Sequence, residues 1–219
     1  MPTRTVPDPA SRLLAAAFER LRATRQPVRV EELAAALDQP AVQVAATVDR
    51  LAKAGRLRRD HAGAVTGSHG LSVVPTPHEL ELEGHRFWTW CAWDAVGILG
   101  ALGASGRIRS HSPASGAPIE LAFQDGCPPP STVVVFLAAE ECSSSTVEDW
   151  CPKVNFFEDA QAAISWAARH QLAGEPLSLQ AATRTGTAAW RCWLAPAAGD
   201  PGAGCQAQHH EAGRKGPPW

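Results

Sequence analysis

The sequence predicts an α+β protein in which an N-terminal winged-helix-like helical module is followed by a mixed sheet-and-helix domain. Three observations predict it. Apolar residues recur at helical spacing from Ser11 to Gly55. Strand-like runs bounded by glycine and proline follow Gly106. Of the 219 residues, 45% are hydrophobic, enough to give such layers a core.

The elements follow in chain order. "SRLLAAAFERLRATR", Ser11 to Arg25, places Leu13, Leu14, Phe18 and Leu21 on one face and predicts a first helix. "VRVEELAAALDQ" predicts a short second helix. "PAVQVAATVDRLAKAG" predicts a third, with Pro40 at its first turn and Gly55 near its end. "RLRRDHAGAVTG" reads as a hairpin about His61-Ala62-Gly63, so residues 10 to about 67 have the outline of a winged helix-turn-helix. "GLSVVPTPHELELEG" reads as a linker stiffened by Pro75 and Pro77. From Phe87 to Leu102 a helix apolar nearly all round, hence buried, is expected; Gly97 and Gly100 each cost it about 1 kcal/mol relative to alanine and suit close packing. "GRIRSHS", "APIELAF" and "STVVVFLAA" predict sequential strands of one sheet. "DAQAAISWAARH" returns to helix, "PLSLQ" adds a strand and "TAAWRCWLA" a last helix. The expected divisions are 1–79 for the module and linker, 80–198 for the second domain, and 199–219 for a disordered tail of small and polar residues.

Twenty basic against 22 acidic residues leave a formal charge of -2, so no global field draws the chain to nucleic acid or to an anionic membrane. The third helix offers a mixed exposed set, Gln43, Asp49, Arg50 and Lys53. Arg56, Arg58 and Arg59 could meet phosphates or simply edge a solvated hairpin. Neither nucleic acid nor membrane is therefore an expected partner. No run reaches about 18 apolar residues, and "MPTRTVPDPASRLL" lacks the pattern of a secretory signal, which makes the cytoplasm the expected location. In that reducing compartment Cys91, Cys127, Cys142, Cys151, Cys192 and Cys205 are not expected to build a disulfide framework. Inert thiols, metal ligands or reactive thiols remain, and no Cys-x-x-Cys pair occurs.

Chemistry is concentrated in two stretches. In "WTWCAWDAVGILG", Cys91 and Asp94 stand three positions apart in apolar surroundings, on one face of the expected helix. A carboxylate there must find a partner or shift its pKa, and beside a thiol it forms a coupled pair able to hold one proton in common. That is general acid chemistry next to a soft nucleophile, although a buried cysteine is also common as inert core. In "EDWCPKVNFF", Pro152 biases Cys151 toward an extended conformation at a strand or loop edge, walled by Trp150, Phe156 and Phe157. Trp90 is a candidate for the pocket wall, and the same aromatic could equally be core. Cys205 with His209, His210 and Glu211 offers metal ligands on the tail, where a solvated tail without function is the plainer reading.

Together the two stretches resemble the organomercurial lyase (alkylmercury lyase) family. The resemblance spans most of residues 10 to 195 and rests on "WCAWD", "SHSPASGAPIEL" and "WCPKVNFF". It implies Cys91, Asp94 and Cys151 as catalytic residues and as the holders of product Hg(II), in a catalytic domain over 80–198. It implies no organic cofactor, an organomercurial substrate, low-molecular-weight thiols for product release, and mercuric reductase as acceptor. Mercury is soft and favours thiolates, and a departing carbanion equivalent needs a proton beside it, which suits Asp94. Where relatives carry a further cysteine this chain has Ser112, and Pro152, Lys153 and Asn155 stand where relatives often have Cys and His. A different class also fits the residues: a winged-helix regulator of transcription, responsive to metal or thiol, whose cysteines bind the inducer.

Overall fold

The computed structural model of the chain describes residues 8–139 and 146–194, apart from the side chains of Thr146, Cys192 and Leu194. The expectations for Cys142, for the thiol of Cys192 and for the 199–219 tail with Cys205, His209, His210 and Glu211 lie outside the described residues.

Three helices open the chain: α1 (Pro9–Thr24), α2 (Val30–Leu37) and α3 (Ala41–Lys53). Asp8 caps α1 by accepting from the N–H groups of Ala10 (2.9 Å) and Ser11 (3.2 Å), two of the donors a helix start leaves unpaired. Leu13, Leu14, Phe18 and Leu21, the face the spacing predicts, are buried in one core with Leu33, Val44 and Val48. A hairpin follows, β1 (Leu57–Arg59) and β2 (Val65–Ser68), whose turn is tied by the Ala64 N–H donating to the Asp60 carboxylate at 2.9 Å.

That hairpin is the edge of a larger sheet. β3 (Leu71–Ser72), β4 (His78–Leu82), β5 (His85–Thr89), β6 (Gly106–His111) and β7 (Pro118–Phe123) complete an antiparallel sheet in the order β1-β2-β3-β5-β4-β6-β7, continuous across residue 79. The stretch that reads as a linker is therefore corrected to strand. In "HELEL" the buried residues His78, Leu80 and Leu82 alternate with the half-buried Glu79 and Glu81, the period of a pleated strand, and Glu83 and Gly84, both at positive φ, close a tight turn into β5. The nearby prolines masked that period.

The expected Phe87–Leu102 helix is corrected at its start. Residues up to Thr89 belong to β5, and α4 spans Ala92–Leu102. Cys91 is extended (φ -149°, ψ 173°) and occupies the cap position. The helix is buried as its composition predicts: two glycines cost about 2 kcal/mol together, against about 1.5–3 kcal/mol for each of the buried Val96, Ile98 and Leu99.

α4 also meets a second sheet. β8 (Val134–Ala138) lies between β10 (Gly174–Ser178) and β9 (Asn155–Phe157). The run expected to continue the first sheet therefore nucleates another, because Pro128, Pro129 and Pro130, lacking N–H donors, lead the chain off the edge of β7. α5 (Ala160–Arg169), capped by Asp159, agrees with its predicted span. α6 (Leu179–Leu194) starts well before the expected "TAAWRCWLA", where the Ser178 hydroxyl accepts from Ala181 N–H at 3.2 Å. α4 packs against α6 on one side and against β3, β4 and β5 on the other, with β8 and β9 near its start. Among the described residues no helix is long and apolar enough to cross a membrane.

Candidate active site

The site is built where α4 begins. Cys91 and Asp94 form a reciprocal capping box: the Asp94 carboxylate accepts from the Cys91 N–H at 3.0 Å, and the Cys91 sulfur faces the Asp94 N–H. The i, i+3 proximity read from the sequence holds, but as the cap and third residue of a helix rather than as two residues within one. Thr89 fixes the turn into the helix, its hydroxyl donating to the Cys91 carbonyl at 3.0 Å.

One backbone hydrogen bond brings the second thiol to the first. The Ala92 N–H, unpaired at the helix start, donates to the Val154 carbonyl at 3.1 Å, and the Val154 N–H closes a tight turn onto the Cys151 carbonyl at 3.1 Å. Cys151 opens a 3₁₀ turn, Cys151–Lys153, rather than standing extended; Pro152 is its second residue, still within the first turn, where a missing N–H costs nothing. Trp150, before it, is pinned by its indole N–H to the Ala138 carbonyl at 3.0 Å and meets Trp93 edge to face at 5.9 Å between centroids. The segment is also held by the N-terminal part, through Val147 N–H to the carbonyl of Gly55 between α3 and β1 (3.3 Å) and the Arg58–Glu148 ion pair from β1 (3.1 Å).

The result is a trio. One ligand atom from each of Cys91, Asp94 and Cys151 lies within 4.8 Å of the others, and the three are 0%, 5% and 2% exposed, dry enough to govern their ionisation. Burial pushes the Cys91 thiol well above its ordinary range, helped by its hydrogen bond with Cys151 and by the Asp94 charge, while the Asp94 N–H opposes. Helix dipole and carboxylate pull this thiol in opposite directions, and burial decides the balance. Asp94 is raised by burial to about 7, its hydrogen bonds with Cys91 holding it from going higher. At neutral pH this carboxyl can both hold a proton and release it.

The remaining candidates fall elsewhere. Trp90 is half-buried, with its indole nitrogen against Gly67 of β2. Ser112 is buried, its hydroxyl accepting from the Ala114 N–H at 3.3 Å, and the Asn155 side chain donates to the Pro152 carbonyl at 2.8 Å. Cys127 is exposed in the turn after β7, apart from the other two described thiols. Of the three arginines that could meet phosphates, Arg58 faces the Glu148 carboxylate and Arg59 that of Asp49. Sequence reasoning missed the turn between β2 and β3. There Gly70, at φ +82°, lies against the Asp94 carboxyl and its carbonyl accepts the Trp90 N–H at 3.0 Å. The glycine of "SHGL" signals a turn, but nothing local signals what it touches.

Fold and trio define a class: an α+β protein with a buried dithiol-carboxylate site, whose donor set suits a soft metal. The chain belongs to the alkylmercury lyase family, whose profile matches residues 71–191, and is an enzyme of that family. The alkylmercury lyase of Streptomyces lividans is 33% identical over 156 residues, 70% of this chain and 71% of that protein. That of Staphylococcus epidermidis is 30% identical over 154 residues, 69% of each chain. That of Bacillus cereus is 30% identical over 162 residues, 73% of this chain and 72% of the other. A crystal structure of the mercury-bound form of MerB2 shares the fold, with a TM-score of 0.79 over 87% of this chain and 93% of that one at 23% identity.

Proposed function

We propose that this chain cleaves the carbon-mercury bond of organomercurials by protonolysis, with Cys91, Cys151 and Asp94 as the reacting groups. The single observation that carries the reading is their convergence within 4.8 Å in a dry site, across 60 residues of sequence.

The steps balance as follows. One thiol captures R-Hg⁺, forming S-Hg-R, and its proton leaves with the anion that mercury sheds, such as an external thiolate. The second thiol passes its proton to the Asp94 carboxylate and adds to mercury, so the metal now carries two sulfurs and the carbon. The Hg–C bond then breaks with its electron pair on carbon, Asp94 delivers the proton to that carbon, and R-H departs. Hg(II) is left on two thiolates with Asp94 again a carboxylate beside it. A carboxyl titrating near 7 suits both halves of this cycle, since it accepts from a thiol and donates to a far stronger base. Release proceeds by exchange with external low-molecular-weight thiols, and mercuric reductase is the acceptor the family likeness suggests. No step calls for an organic cofactor.

We read the three N-terminal helices and the β1-β2 hairpin as a winged-helix-like module used as scaffold, in a cytoplasmic enzyme. Arg58 and Arg59 are engaged by Glu148 and Asp49, and the Arg58–Glu148 pair favours bracing of the Cys151 segment over nucleic-acid contact. The reading is tested by incubating the protein with phenylmercury and excess thiol and measuring benzene. Benzene above the thiol-only control supports it; none, or specific binding to an operator fragment instead, overturns it in favour of a regulator.

A further inference from the structure

The sheet contains two tight turns of the same backbone signature. In one, Glu83 and Gly84 have φ of 54° and 75°; in the other, His69 and Gly70 have φ of 47° and 82°. Both glycines suit a turn that needs left-handed residues at its centre. Their surroundings differ. A Cβ at Gly84 would meet nothing within 4 Å, whereas a Cβ at Gly70 would stand 2.4 Å from both Cγ and Oδ1 of Asp94.

The Gly70 turn is also held from several sides. The Trp190 indole N–H donates to the His69 carbonyl at 2.9 Å, the His69 ring stacks on Trp193 at 5.3 Å, and the Trp90 N–H donates to the Gly70 carbonyl at 3.0 Å. The last bond ties the turn to the residue before Cys91. The turn is thus fixed against the same segment that carries Cys91 and Asp94, and its glycine fills the space beside the carboxyl that no other residue type could share.

We infer that Gly70 is a positioning residue for the reaction: its bare α-carbon, clamped in the β2-β3 turn, sets where the Asp94 carboxyl stands relative to the two sulfurs. The inference rests on the reading of Asp94 as proton donor to carbon. Since ordinary contact begins near 3.4 Å, a methyl at Gly70 pushes the carboxyl back by about 1 Å. A displacement of that size costs about 100-fold in rate where alignment matters. A donor set back from carbon also discriminates more between substrates, because the less stabilised methyl carbanion equivalent depends more on early proton delivery than the phenyl one.

The test compares Gly70→Ala with Gly84→Ala, which carries the same positive-φ penalty in open space. Turnover of phenylmercury and methylmercury is measured for each in excess thiol, and the ratio of the two kcat values is formed because it is independent of the fraction of protein that is folded. Gly70→Ala should lose about 100-fold in kcat and favour phenylmercury more strongly than wild type, with Gly84→Ala unchanged in both. Wild-type kcat in Gly70→Ala, or equal losses on both substrates with an unchanged ratio, overturns the assignment. Should Gly70→Ala not fold, Trp190→Phe asks the same question by removing the N–H held by the His69 carbonyl without adding a Cβ beside Asp94. It should lose about fivefold with the same change of ratio, and an unchanged ratio overturns the assignment. Asp94→Asn, run alongside, separates the two claims. If Asp94→Asn retains turnover, the reading of Asp94 falls; if it is inactive while Gly70→Ala behaves as wild type, only the role of Gly70 falls.

Discussion

Asp94 should destabilise the protein it serves, and Asp94→Asn should show by how much. Burial raises this carboxyl from an ordinary 3.8 to about 7, so between those values the native state holds a proton that the unfolded state has given up. Unfolding then releases a proton, and stability falls as pH rises through the window, by about 1.4 kcal/mol per pH unit and about 4 kcal/mol in all. Below the window both states are protonated and the penalty vanishes; above it the penalty is complete. Asparagine at 94 keeps an oxygen for the Cys91 N–H and carries no charge at any pH. The assay is urea unfolding of wild type and Asp94→Asn under reducing conditions at pH 5, 6 and 7. Taking the difference between the two proteins cancels every other titrating group. Asp94→Asn should gain on wild type by about 1.3 kcal/mol from pH 5 to 6 and about 1 kcal/mol from pH 6 to 7, where the carboxyl is already half ionised. A difference that stays flat across the range would refute the claim that the site holds a protonated, desolvated carboxyl.

Other outcomes follow from the same contacts. Cys91→Ser and Cys151→Ser should each abolish benzene release from phenylmercury, since neither hydroxyl can supply the second sulfur; full rate in either removes that residue from the mechanism. His78, buried beside Ser110 with its ring nitrogen 2.9 Å from that hydroxyl, is lowered by burial from 6.5 to about 4. Its contribution to stability is present above 6.5 and lost as pH falls toward 4, about 3 kcal/mol in all, so His78→Gln should flatten the acid side of the stability profile. Gly97→Ala should cost about 1–3 kcal/mol in urea unfolding, because its Cβ would stand 2.6 Å from the fully buried Trp190 ring where α4 crosses α6. An unchanged midpoint would mean that the two helices part without cost.

The parts legible in the sequence are those whose signal is local. The face of α1 could be read from Leu13, Leu14, Phe18 and Leu21, and the burial of α4 from its unbroken apolar run. Boundaries failed where two patterns overlapped: the alternation of β4 beside two prolines, and β5 running straight into the apolar run of α4. The Cys91-Asp94 contact was legible because three residues of spacing bring side chains together in a helix and in its cap alike. The approach of Cys151 was not. It depends on the Ala92–Val154 hydrogen bond, which joins residues far apart in sequence, and only the resemblance to a family pointed there. Gly70 escaped for the same reason, since a turn residue can be read from its neighbours but its contact with Asp94 cannot.

The central claim is that two thiols and a carboxyl act together on one carbon-mercury bond. The most direct test is a single turnover in heavy water, with phenylmercury added to an excess of the reduced protein and no external thiol. The account predicts one benzene per phenylmercury, bearing one deuterium, from wild type and none from Cys151→Ser. Benzene without deuterium, or equal yield from Cys151→Ser, would contradict it.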